Sequence, residues 1–154
     1  MSTGSAARRH HAVSRNPREE PPYREWVAAW GGMALLGVAN GVSRALYEKR
    51  LGERPAHQVS SVTLAAAVLP YAAAVERRWP LPTTGAAARV GLAWVGLTVA
   101  FEFGFGRYVA RQSWRTLVAD YDMARGRLWP LVLTAVGAAP ASARAARIGT
   151  TCRG

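Results

Sequence analysis

The sequence predicts an all-α fold: a four-helix transmembrane bundle with an amphipathic interfacial helix before the last span. Three observations carry that prediction. Half of the 154 residues are hydrophobic, yet the mean hydropathy is close to zero, because apolar stretches alternate with short charged ones. Four of those stretches approach the ~20 residues a helix needs to cross a ~30 Å hydrocarbon core. The third carries no charge on any face between Val90 and Phe101, whereas the helices of a soluble bundle each keep a polar stripe.

Residues 1–25 are polar and basic, with Arg8, Arg9, Arg15 and Arg18 among Gly, Ser and Pro. They are expected to form a disordered tail and, lacking an apolar h-region, not a signal peptide. The first span is expected over 26–46, with Gly37 and Gly41 in a GxxxG spacing and Asn40, Ser43 and Arg44 in its last turns. The loop YEKRLGERP leads to a second span over 56–75, polar at its start and expected to kink at Pro70. The third span is expected over 86–106, with Glu102 near its end. The fourth, over 128–143, is the shortest: Pro140 lies inside it, Arg144 and Arg147 would sit at the far interface, and 144–154 read as a polar tail. Between the last two spans, Ala110, Trp114, Leu117, Val118 and Tyr121 recur at spacings of three and four. That stripe suits a helix lying in the interface plane, or an amphipathic connector packed on the bundle.

Lys and Arg outnumber Asp and Glu by 20 to 9, a formal charge of +11, and Lys49 is the single Lys. These cations are spread along the edges of apolar segments, where Arg can snorkel to headgroups. They form no concentrated basic face, so nucleic acid is not an expected partner. Trp26, Trp79 and Trp129 fall at segment ends, where an aromatic belt would place them. Four spans put both termini on one side, with 11 cations there against 9 on the other. That excess favours cytoplasmic termini. Cys152 stands alone, which excludes a disulfide framework and a Cys-based zinc site. His10 and His11 are adjacent in the tail with no further ligand at a suitable spacing, so no metal site is expected.

The same topology gathers Arg44, His57, Glu102 and Arg127 at one depth, with Asn40 and Gln58 beside them. Ionisable residues within spans are costly and are paired or functional. An Arg44–Glu102 ion pair, hydrogen-bonded by Asn40 and Gln58, is the structural expectation. A proton- or cation-coupled Glu102 carboxylate in a cavity is the functional one, and snorkelling of Glu102 to the interface is the third. His57 has the chemistry of a proton relay or of a hydrogen-bonding helix end. Ser113 sits in RQSWR, not in a GxSxG elbow, and GFG at 104–106 lacks the strand and third glycine of a dinucleotide site. Asp120 and Asp122 lie beside arginines that would neutralise them. No catalytic residue and no cofactor is therefore expected.

Residues 101–133, FEFGFGRYVARQSWRTLVADYDMARGRLWPLVL, and residues 40–60, NGVSRALYEKRLGERPAHQVS, resemble a family of small bacterial membrane proteins of uncharacterised function. The resemblance implies four spans and an inner-membrane location, and it implies no activity. Its motif residues enter as candidates: the polar cluster Asn40, Arg44, His57, Gln58, Glu102 and Arg127, and the interfacial motif Ser113, Trp114, Asp120, Tyr121, Gly126 and Trp129. One departure is the ending ASARAARIGTTCRG, where the family's last span would stay apolar. The expected function is a small integral membrane protein with a structural or partner-binding role. Its partners would be the lipid bilayer and a second copy or another membrane protein. The alternative is a small ion-coupled transporter using the Glu/Arg/His cluster.

Overall fold

The computed structural model describes residues 20–119, 121–123 and 127–151. Among the described residues five α-helices follow in order: α1 (Tyr23–Leu51), α2 (Glu53–Arg78), α3 (Thr84–Gly104), α4 (Trp114–Ala119) and α5 (Trp129–Thr151), with a π-helical turn over Phe105–Val109 continuing α3. Among the described residues there is no strand. α1, α2 and α3 with its π turn are long and apolar enough to cross a membrane. Their outward faces agree: Leu35, Val42, Leu46 and Leu92 are each at least 65% exposed. Contiguous apolar surface of that kind is rare on proteins surrounded by water.

The four long helices pack in a ring. α1 contacts α2 and α3, and α5 contacts α2 and α3, so α5 closes the bundle opposite α1. Its inward residues Val132, Val136, Ala139 and Ala143 join the core with Val68, Ala72, Val90 and Trp94. α3 and α5 come closest at Gly91 and Gly137, where a Cβ on Gly91 would collide with the Gly137 carbonyl. α1 and α2 meet through one residue, Gly52, whose φ of 84° lies in the left-handed region that glycine occupies without a Cβ clash. Thr83 caps α3: its hydroxyl accepts from the Ala86 amide at 3.0 Å.

Two expectations change at the end of the bundle that holds the α2–α3 loop. Trp26 was expected in an interfacial aromatic belt, yet it is fully buried. Its indole finds an acceptor inside the bundle, donating to the Trp79 carbonyl at 3.0 Å. Its own carbonyl accepts from Trp94 Nε1 at 2.8 Å, and the two rings lie 5.4 Å apart. The second change concerns residues 144–151, read as part of a polar tail, which continue α5. Arg144 donates to the carbonyls of Leu81 at 3.1 Å and Pro82 at 2.9 Å. Arg147 Nε lies 2.9 Å from Glu76 Oε1. Glu76 is 1% exposed, and its two oxygens also accept from the Leu81 amide at 3.2 and 3.1 Å. Arg144 thus binds the α2–α3 loop and Arg147 binds the end of α2, and α5 is prolonged to reach both.

The interfacial helix is also revised. The stripe from Ala110 to Tyr121 predicts one continuous helix, but α4 spans six residues only. The Ala110 amide donates to Phe105 O, the five-residue step of a π turn, and Gln112 N donates to Gly106 O at 2.9 Å. Arg111 then takes a φ of 55°, which breaks the helical path. Ser113 restarts it, accepting from the Thr116 amide at 3.2 Å. Leu117 is the one stripe residue that is buried.

The Glu76–Arg147 contact predicts strong coupling. Glu76→Gln should cost about 2 kcal/mol, because a charge-assisted acceptor is lost where water does not reach. A double-mutant cycle with Arg147→Gln, read as unfolding in mixed micelles, should return a coupling above about 1 kcal/mol. Additive losses would show that the contact holds nothing.

Candidate functional site: a cavity at the open end of the bundle

At the opposite end, around Gly52 and the π turn, the helices leave a cavity of about 460 Å³. Every long helix contributes to its wall, as do the π turn and α4. The inner part is apolar, lined by Met33 of α1, Leu64 and Val68 of α2, and Val132 and Val136 of α5. The mouth is polar and carries both signs of charge, with Arg44, Glu48, Glu53, Glu102 and Arg127 around it.

Most of the polar cluster predicted from the sequence converges here. Asn40, Arg44, His57, Glu102 and Arg127 all line the cavity; Gln58 is exposed and does not. Their pairing differs from expectation. Arg44 Nε lies 3.6 Å from Glu48 Oε2, one turn along its own helix, in place of Glu102. Helical spacing explains the choice, since residues four apart are neighbours on one face. Asn40 Nδ2 donates to Ser60 O at 2.9 Å and to Ser60 Oγ at 2.7 Å, joining α1 to α2. Glu102 Oε2 is approached by the Tyr121 hydroxyl at 3.5 Å, the long limit of a hydrogen bond. Arg127 Nη2 lies 3.9 Å from Glu53 Oε1, whose side chain is 76% exposed. A pair so exposed contributes little to stability.

The interfacial motif divides. Tyr121 and Trp129 line the cavity; Ser113 and Trp114 do not. Trp114 and Tyr121 each stack on Phe103, with ring centroids 5.9 Å apart in both pairs, and so tie the segment after the π turn to α3. The Ser113 hydroxyl marks the start of α4, 2.9 Å from Thr116 Oγ1. Asp120 and Gly126 lie outside the described residues. Among the described residues no group of three or more His, Cys, Asp and Glu is placed to hold a metal ion.

Trp129 carries the site's unsolved polar atom. Its Nε1 is buried and has no acceptor. A buried donor left without a partner costs on the order of 1–3 kcal/mol, and its residue is among those that line the cavity. The π turn is a second mark, because π-helical segments recur at functional sites. Glu48, Glu53 and Thr98 also line the cavity and escaped the sequence reading. Glu48 had a usable signal in its spacing of four from Arg44. Glu53 and Thr98 had none.

No family model, curated protein or solved structure matches this chain.

The geometry predicts independence where the sequence predicted an ion pair. Arg44→Ala and Glu102→Ala should be additive in detergent thermal stability to within about 0.5 kcal/mol. Asn40→Ala should cost about 1 kcal/mol through its lost bonds to Ser60. Strong coupling between Arg44 and Glu102 would contradict the observed pairing.

Proposed function

We propose that this chain is a small four-span protein of the bacterial inner membrane that acts by binding a molecule in its end cavity, with no chemical reaction. The observation that carries the reading is convergence: polar residues from α1, α2, α3 and the segment between α3 and α5, far apart in sequence, line one cavity. A purely structural bundle gains nothing from such a space, since empty volume forfeits packing contacts.

α5 serves as the fourth span in this reading. Its 23 residues reach about 34 Å at 1.5 Å per residue, and it packs between α2 and α3. Charge in its last turns is matched by Glu76 and by loop carbonyls. The excess of cations on the terminal side favours cytoplasmic termini, so the cavity opens at the periplasmic face. Reporter fusions after Gly52 and at each end of the chain check this: the two ends should report cytoplasm and Gly52 periplasm. Termini on opposite sides would leave three spans and overturn the four-span reading.

Glu102 in the cavity favours a second reading, an ion-coupled transporter built on Glu102, Arg44 and His57. Proteoliposomes under a pH gradient separate the two. Binding without transport predicts that wild type and Glu102→Gln both leak protons no faster than empty vesicles. Proton flux above that background, abolished by Glu102→Gln, would establish the transporter instead.

A further inference from the structure

We infer that residues 105–118 form a docking surface for the headgroup of an anionic phospholipid, with Arg107, Arg111 and Arg115 as its cations. The inference rests on the helices long and apolar enough to cross a membrane, and not on the cavity.

Charge comes first. Residues 103–119 include three arginines and no Asp or Glu. Residues 107–116 are exposed without a break. Among the described residues Arg111 and Arg115 have no hydrogen-bond or ion-pair partner, and Arg107 has only the Gln112 carbonyl, at 3.4 Å. The described carboxylates nearest in sequence, Glu102 and Asp122, have partners of their own within the chain. Arg44, Arg127 and Arg147, by contrast, each lie beside a carboxylate.

Position narrows the partner to a lipid. α3 and its π turn are long and apolar enough to cross a membrane, and Val109 is where that stretch ends. The chain does not leave the bundle there. Trp114 stacks on Phe103, six residues before Val109. The arginines are therefore held beside the end of a span, where phosphates lie above hydrocarbon. Apolar groups stand among them: Tyr108 is 81% exposed, and Val109, Trp114 and Val118 are each more than half exposed. A free anion would answer the arginines and leave these groups in water. The boundary between acyl chains and headgroups takes both, apolar side chains inward and guanidiniums outward.

The sign of the headgroup follows from the missing carboxylates. A zwitterionic lipid brings an ammonium with its phosphate, and nothing in residues 103–119 receives it. A net negative headgroup suits three unpaired guanidiniums. The backbone agrees. Arg111 holds a φ of 55°, a region that glycine enters without a Cβ clash. Outliers of this kind cluster at ligand clamps, and this one follows directly on a π turn.

The experiment uses the full chain with Cys152→Ser and a fluorophore attached at Val109→Cys. Vesicles contain equal parts phosphatidylglycerol and phosphatidylcholine, with brominated chains on one lipid or the other. Bromine quenches on contact, so the ratio of quenching reads the local excess of the anionic lipid. Folding of each variant is checked by circular dichroism and elution volume. The labelled parent should show phosphatidylglycerol enriched about fivefold, the gain from one headgroup contact by arginine. Arg107→Gln, Arg111→Gln and Arg115→Gln together should return the ratio to parity. Arg115→Gln alone, in a regular helical turn, should lower it about twofold. Arg24→Gln, Arg77→Gln and Arg89→Gln together remove as much charge from the other end of the bundle and should change it by less than twofold. Inorganic phosphate should lower it no more than chloride at equal ionic strength.

Parity in the labelled parent would overturn the inference. Equal loss in the two triple variants would overturn it too, by tracing the effect to net charge. Selective loss in phosphate would make the surface a site for a free anion and overturn the lipid as its source. Absence of quenching by either lipid would place the segment outside the bilayer and overturn the docking surface, while the cavity reading would stand.

Discussion

Glu76 is the fixed point of the structure. A carboxylate that is 1% exposed, in a helix long and apolar enough to cross a membrane, is stable only with its lone pairs occupied. Here the Leu81 amide and the Arg147 guanidinium occupy them. Neither contact is local to one helix. The first pins the α2–α3 loop back onto α2, and the second draws the last turns of α5 against α2. Leu81, placed by its amide, becomes fully buried, and Arg144 holds the loop's carbonyls from the other side. Three of the four long helices therefore meet at one end through bonds that apolar surroundings strengthen. The fourth joins by the indole of Trp26 on the Trp79 carbonyl.

That closed end explains how α5 can be both charged and inside. Arg144 and Arg147 lower the apolar character of a helix that otherwise resembles its neighbours, and α5 is not among the helices apolar enough to cross a membrane by composition. Hydropathy scores a side chain as though it faced lipid. These two face a carboxylate and three oxygen acceptors of the loop and its following residue. Arginine suits the task because its fork of donors reaches several acceptors in fixed directions, which a lysine ammonium does not.

The helices were legible from the sequence because each span is a long apolar run, and the charged breaks at 47–55 and 76–82 fall where α1 meets α2 and α2 meets α3. The depth of Asn40, Arg44, His57, Glu102 and Arg127 was legible too, since helix rise and topology fix it without side-chain detail. The pairings were not. Arg44 had two carboxylates in reach of a sequence argument, and the nearer one along the helix took it. Glu76 is followed by Arg77 and Arg78, and nothing in the local sequence singles it out. Its partner, Arg147, arrives only with the return of α5, seventy-one residues later. The 110–121 stripe failed for a different reason. Periodicity counts residues as though every step were 100°, and a π turn followed by a left-handed Arg111 resets the count.

The two ends of the bundle are built differently. At the Glu76 end, polar atoms are matched within the chain and aromatic rings fill the space between helices. At the Gly52 end, Phe101, Phe103 and Phe105 of α3 and its π turn line the cavity and engage in ring contacts with Trp30, Trp114, Tyr121 and one another. Gly37 and Gly41 line the cavity from α1; Leu64 faces Gly37, and nothing lies within 4 Å of a Cβ at Gly41. A bundle built only for stability would place a better helix former than glycine at Gly41. The glycine keeps a volume open on α1, across the bundle from Trp129 of α5, whose buried indole donor has no acceptor. Both features oppose stability at this end, and among the described residues the Glu76 end has neither.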